Sequence, residues 1–550
     1  MHHKALTFLL LFLTPSLSTA QLSIRTVALS TDECPGTHSG QTLGHLGPDV
    51  QNSYFQPGPA INKFGQVAFL AQTNCVDKSI WSDSTGGLAL VAKYNDALPG
   101  FGPFTYMDSG PRITDDGDVI FQTINGLNPG YISNRGGSKH VVARGGAQAP
   151  GTPPGTNFIY FGGWDGYSHS PSVSRNGVFA FPGFLNTQSR GIWTGTEDNI
   201  TARTLVDGQV PGHPAGTIFD DISSLQFSPS ANRYGRVTIL ASAGSSSGVW
   251  SVAENSARLV FPTTLSIPEW SSGGILISNY PKVNDQGDIV VKVRPWALGG
   301  DDTSVLAWDA DDGKIRHLAS TSLTHAPGTE PGVVFSNTGD NLPAINGRGQ
   351  VVFGAELTGP GVTPANKDGF WAEDLQGFLK LLVRTGMEAP GLGQGATFME
   401  LWGEASINAL GTTVFYATTV DNGIYRSGYW AANPDDGTLY PIVLSRQLIE
   451  VRSGVMKEVD SIGLSDNLGS RSFSSGGQDG LPTGLNENNQ AAFRIAFTDG
   501  TSGVFVVTIP EPSSLAILAL CMLSIFRHQA RRACSAPIRA ISETSLPLRG

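Results

Sequence analysis

A nine-residue pattern recurs eight times along this chain, and no other feature restricts its fold so strongly. It consists of an apolar residue, Asn-x-x-Gly, one further residue and a short apolar run. It runs as INKFGQVAF at 61–69, ITDDGDVIF at 113–121, VSRNGVFAF at 173–181 and ANRYGRVTI at 231–239. It continues as VNDQGDIVV at 283–291, INGRGQVVF at 345–353, INALGTTVF at 407–415 and LNENNQAAF at 485–493. Gly65, Gly117, Gly177, Gly235, Gly287, Gly349 and Gly411 stand where a tight turn needs positive φ. Asn489 takes that place in the last copy, and asparagine tolerates the left-handed region better than most residues. Three positions earlier stand Asn62, Asn232, Asn284, Asn346, Asn408 and Asn486, with Thr114 and Ser174 in the other two copies. All can hydrogen-bond nearby backbone and hold a turn. The apolar run is mostly β-branched or aromatic, as in a strand entering a core. These positions therefore read as structural turn residues.

Successive turn glycines lie about 50 to 60 residues apart, a period that suits one four-stranded propeller blade with its loops. Two more landmarks recur within most periods. One is a strand with an aromatic, as in Ser79-Ile80-Trp81, Gly191-Ile192-Trp193, Gly248-Val249-Trp250, Gly369-Phe370-Trp371 and Gly503-Val504-Phe505. The other is an apolar strand running to a Pro-Gly corner, as in Leu90–Gly100, Val141–Gly151 and Leu381–Gly391. The last copy stops after Gly503–Val507 without its corner strand, while Thr26–Gly36 resembles that missing piece. The pattern predicts an all-β propeller of about eight four-stranded blades, closed by the N-terminal segment. Seven blades are the alternative, because the stretch between Phe415 and Leu485 is irregular.

The ends of the chain read differently. Residues 1–20 have a basic start at Lys4, an apolar run from Ala5 to Leu13, and small residues before Gln21, the layout of a secretory signal peptide. Export to an oxidising compartment would permit a Cys34–Cys75 disulfide in the body at 21–508. Segment 509–532 holds two prolines, an uncharged run from Ser513 to Phe526 and a basic cluster, and 533–550 reads as a basic, disordered tail. The uncharged run would make a helix about 21 Å long, short of the roughly 30 Å hydrocarbon core of a bilayer. The basic cluster favours a short transmembrane helix with a cytoplasmic C-terminus.

Pro510-Glu511-Pro512, the apolar run, and Arg527, Arg531 and Arg532 resemble a PEP-CTERM sorting signal. That resemblance implies processing by an exosortase-type protease and delivery to the bacterial envelope or extracellular matrix, often beside exopolysaccharide. The chain continues past Arg532 to Gly550, farther than such signals usually run. The body resembles the NxxGxxAF tandem-repeat family over residues 26–507, which carries no catalytic residues to transfer.

The formal net charge of −11 excludes an ordinary nucleic-acid binder, which needs cations to replace phosphate counterions. Gly244–Gly248 fits G-x-S-x-G but leads into a strand, where a nucleophile elbow needs a helix. Asp309, Asp311 and Asp312 have the spacing of a calcium loop, yet the residue at position twelve is Ser320, so calcium is unsupported and no cofactor is expected. The histidines are scattered. Trp81, Trp164, Trp193, Trp250, Trp371 and Trp402 could stack on sugars, but most read as core, with Trp164 the best exposed candidate. These features make the chain an exported surface or matrix protein, expected to be a non-enzymatic module binding exopolysaccharide. A propeller glycoside hydrolase or lyase, and a purely structural envelope protein, are the alternatives.

Overall fold

In the computed structural model, each repeat turn joins the innermost strand of a blade to the next strand outward, and eight such blades close a ring. The structure describes residues 22–36, 40–46, 58–72, 78–105, 107, 110–125, 128–161, 171–223, 229–267, 273–277, 281–296, 302–321, 324–338, 342–464 and 484–510. Leu22–Ile509 form one compact unit. The first blade shows the plan. Ala60–Ile61 pairs with Val67–Gln72, which pairs with Lys78–Ser82, which pairs with the outer strand Ala89–Lys93, all antiparallel. In the third to sixth blades the innermost strand comes in two pieces. Val334–Asn337 and Ala344–Ile345, for example, pair with opposite ends of Val351–Thr358. In the seventh blade it is continuous, from Thr397 to Ile407.

The eighth blade takes its outer strand from the other end of the chain. Ser23–Leu29 pairs with Ser502–Thr508 from Ser23↔Thr508 to Leu29↔Gly503, so the expected closure is present and the blade number is eight, not seven. The irregular stretch before it has a local cause. The Pro-Gly corner is replaced there by a hairpin, Leu448–Arg452 with Val455–Leu464, whose second strand continues as the innermost strand of the blade.

The asparagines explain the ring. In five turns the side-chain Oδ1 accepts the N–H groups two and four residues on, as Asn346 does from Arg348 and Gln350 at 2.9 and 3.0 Å. The Nδ2 group faces the other way, across the blade boundary. Asn62 donates to Thr114 O, Asn232 to Asn284 O, Asn284 to Asn346 O, Asn346 to Asn408 O, Asn408 to Asn486 O and Asn486 back to Asn62 O. Thr114 and Ser174 cap one turn N–H each but have no amide to send across. Their boundaries are bridged by Asp115 N to Arg175 O and by Asn176 Nδ2 to Arg233 O. The circuit is complete through all eight turns. Glycine is needed for more than φ at Gly65, where φ is +79° and a Cβ would meet Gln490 Oε1 of the eighth blade at 2.6 Å.

The core lies in the seams between blades. Val290, Val305 and Ala307 of the fifth blade pack with Phe335, Phe353 and Trp371 of the sixth in one buried cluster. Trp371 is fully buried, meets Phe335 edge-on at 5.0 Å, and donates from Nε1 to Pro327 O at 3.0 Å. Trp193 repeats this arrangement with Phe158 and Pro150 O. Trp371→Ala is expected to cost about 3–5 kcal/mol, because it removes the ring from a seam that cannot collapse. Urea unfolding checks this; a loss below about 1 kcal/mol would mean the seam repacks freely.

Only a 3₁₀ turn, Arg135–Gly137, breaks the all-β character among the described residues. None of their helices is long and apolar enough to cross a membrane. The expected transmembrane segment and the sorting residues Glu511, Pro512, Arg527, Arg531 and Arg532 lie outside the described residues, as do the signal peptide, Cys75 and Trp164. Cys34 is buried and disulfide-bonded.

Candidate functional site

Five side chains meet where the sixth and seventh blades adjoin, toward the ends of the strands away from the repeat turns. Glu356 lies near the end of Val351–Thr358, five residues beyond Val351 and so about 16 Å from the turn. Asp368 starts the neighbouring strand, directly opposite Glu356. Two carboxylates in cross-strand register repel, and such a pair needs a cation between them. Lys367 supplies it, with Nζ 2.8 Å from Glu356 Oε2 and 3.7 Å from Asp368 Oδ1. The continuous inner strand of the seventh blade adds Glu400 and Trp402, and the Trp402 Nε1 donates to Glu400 Oε2 at 3.0 Å. Trp402 is 52% exposed, unlike the seam tryptophans.

The electrostatics separate the members. Burial pushes the Asp368 carboxyl up; Lys367 opposes this, and the charges of Glu356 and Glu400 add to it. The hydrogen bond to Glu356 is the main reason the Lys367 ammonium is raised. A carboxyl biased toward its protonated form beside further carboxylates can serve as a general acid. An exposed indole beside it offers a face on which a sugar ring can stack.

The sequence reading named Trp402 among the aromatics but missed Glu356, Lys367, Asp368 and Glu400. A signal was present in the repeat. The position before Gly-Phe-Trp is Asp368 here, but Arg190 and Ser247 in the copies at 190–193 and 247–250. The other candidates fall elsewhere. Trp81, Trp193, Trp250 and Trp371 are core. Gly244–Gly248 forms a hairpin, with Ala243 paired to Ser246 and Ser247 Oγ bonded to Ser242 Oγ. Asp309 accepts from Asp311 N, and Asp312 pairs with Lys314, so both carboxylates serve their own turn. The turn residues Asn62, Asn232, Asn284, Asn346, Asn408 and Asn486 form the ring described above.

Solved structures of similar architecture include an oligogalacturonate lyase in complex with manganese, at 13% identity, a TM-score of 0.35, and coverage of 76% of this chain and 99% of that one. An ulvan lyase from another polysaccharide lyase family matches at 10% identity and a TM-score of 0.31, over 90% of this chain and 99% of that one. A third polysaccharide lyase, Uly1, matches at 10% identity and 0.35, over 88% and 98%. The expectation of a non-enzyme is withdrawn beside these matches, which are described as lyases; that activity is theirs, and nothing in the likeness assigns one to this chain. The likeness concerns the fold and transfers no substrate or residue role. No curated relative matches the chain. A family model matches residues 29–158 and 61–516, and the chain therefore belongs to DUF7453, a family of unknown function.

Proposed function

We propose that this protein is an exported propeller of the bacterial envelope or matrix that binds and cleaves polysaccharide at the Glu356–Asp368–Glu400–Trp402 cluster. The observation carrying this reading is the carboxyl pair in cross-strand register, with Asp368 raised, beside the exposed Trp402 ring. Export rests on the signal-like N-terminus. The resemblance of the tail to a PEP-CTERM signal supports handling by an exosortase-type protease, and the repeats support kinship with NxxGxxAF proteins. In a hydrolytic mechanism Asp368 protonates the leaving oxygen as its bond to the anomeric carbon breaks, a neighbouring carboxylate takes a proton from the water that adds to that carbon, and Trp402 positions the ring. A lyase would instead abstract a proton beside a uronate carboxyl and leave an unsaturated sugar.

Incubating the protein with the producing organism's exopolysaccharide tests this. Shortened polymer with new reducing ends marks hydrolysis; shortened polymer that also gains ultraviolet absorbance marks elimination. Asp368→Asn is expected to reduce the rate at least about 100-fold, the usual weight of a general acid. Trp402→Ala is expected to raise KM more than it lowers kcat. Activity should fall as pH rises through the elevated value of Asp368, because the acid form is then lost. The stability sign is the same. The folded chain holds this proton more tightly than the unfolded one, so the contribution is full below the ordinary carboxyl range and lost as pH rises. Polymer of unchanged length after incubation would overturn the proposal.

A further inference from the structure

The ring of repeat turns forms the face at which both ends of the body emerge. Ser23 pairs with Thr508 at this end of the eighth blade, and Ile509 N donates to Asn489 O at 2.7 Å, in the eighth turn itself. The uncharged run beginning at Ser513 starts four residues beyond Ile509. Fully extended, those four residues reach only about 14 Å.

The same face carries two exposed aromatics that the ring does not use. Phe64 is 64% exposed and Tyr234 is 70% exposed, each at the third position of its turn. A cation lies over each ring, Lys63 Nζ at 4.8 Å and the Arg233 guanidinium at 5.0 Å. The charges are layered. The side chains of Lys63, Arg233 and Arg175 are 43%, 44% and 31% exposed, while their partners Asp115 and Asp285 are 15% and 11% exposed. The carboxylates clasp the preceding turn, Asp115 accepting Lys63 N, Asp285 accepting Arg233 N and Glu487 accepting Ala409 N. Cations and rings are thus left outermost, joined by exposed Arg348. Asp116 in the turns, and Asp311, Asp312, Asp435 and Asp436 in hairpins at the same end of the blades, are also exposed and oppose the trend, so the cationic surface is confined to the ring of turns itself.

We infer that this turn face docks on an anionic lipid surface, with Phe64 and Tyr234 entering the headgroup layer and Lys63, Arg175, Arg233 and Arg348 meeting lipid phosphates. Aromatic side chains with a polar edge favour the membrane interface, and clustered Lys and Arg favour anionic headgroups. The inference rests on the proposed anchoring role of the tail, whose short connection would hold this face near the bilayer. The polysaccharide cluster, at the other end of the strands, would stay clear of it.

The test is flotation of the body, residues 21–509, with vesicles of phosphatidylglycerol and phosphatidylcholine and with phosphatidylcholine alone. The ring closes within those residues, so the body keeps its fold. Binding to the anionic vesicles, weakened by salt and lost at least about tenfold in Phe64→Ala/Tyr234→Ala and in Lys63→Gln/Arg233→Gln, is the expected result. All four side chains reach solvent, Lys63 and Arg233 at 43% and 44% and the two rings at more than half, and unchanged melting temperatures confirm that the variants fold. No flotation at low salt, or binding equal in wild type and both variants, would overturn the inference. Full-length protein separates this from failure of the anchor. If only the face fails, full-length protein floats and the body does not; if only the anchor fails, the two float equally and both require the anionic lipid. Asp368→Asn should bind vesicles like wild type.

Discussion

Asn346→Asp is expected to open the propeller at neutral pH. Asn346 is fully buried and makes four hydrogen bonds: Oδ1 accepts from Arg348 N and Gln350 N, and Nδ2 donates to Gln350 Oε1 and Asn408 O. An aspartate keeps the two it accepts and turns a buried charge toward two acceptors. Each buried group left unsatisfied costs about 1–3 kcal/mol, and an unpaired charge costs more, so a loss of about 4 kcal/mol or greater is expected. Asn346→Ser should be milder, at about 1–2 kcal/mol, because Ser174 and Thr114 already fill this position in two blades. The aspartate variant should recover as the pH is lowered. A buried Asp facing acceptors has a raised pKa, and its protonated form can donate to one of them. Denaturant melts of the three proteins at pH 7 and pH 5 make the comparison. Equal stability of Asp and Asn at pH 7 would mean the amide ring carries none of the closure.

Deleting residues 22–29 should be worse still. The strand Ser23–Leu29 covers Ser502–Thr508, and Ala28 and Leu29 enter buried clusters on the two sides of the eighth blade. Without it the Val504–Val507 stretch becomes a bare apolar edge, which invites pairing with another chain. We expect aggregated or unfolded protein by light scattering and circular dichroism. A synthetic peptide of residues 22–36, added during refolding, should restore monomeric protein, because strand pairing needs no covalent link. A monomeric, fully folded deletion variant would show that the ring does not depend on this strand.

Closure has a second element, which the repeat pattern does not mark. Arg494 is fully buried at the boundary of the eighth and first blades, where it donates to the carbonyls of Leu46 and Leu70. Burial lowers its pKa to about 10. The copies at 61–69 and 345–353 are followed by Leu70 and Gly354, so an arginine one residue after the repeat appears where the two ends of the chain must meet.

The number of blades, the turn at each Asn-x-x-Gly and the closing N-terminal strand are legible in the sequence, because each depends on local chemistry repeated at a fixed period. A positive φ, a capped turn and a β-branched run announce themselves within nine residues. The second use of the asparagines is not local. Nothing in INGRGQVVF says that Asn346 Nδ2 meets a carbonyl 62 residues on, a partner supplied only when blades stack side by side. The candidate site is hidden for the same reason. Glu356, Lys367, Asp368 and Glu400 are ordinary surface residues until the sixth and seventh blades bring them together. Trp402 and Trp371 likewise look alike as tryptophans. One is exposed and the other buried because Trp371 enters a seam between blades, whereas on the strand of Trp402 it is Phe398, Ala405 and Ile407 that do so. The sequence alone determined the repeated unit and its turns, through steric and hydrogen-bonding preferences acting within each copy. Which side chains became seam, ring or site was decided by the tertiary structure, since burial and charge coupling depend on neighbours from other blades.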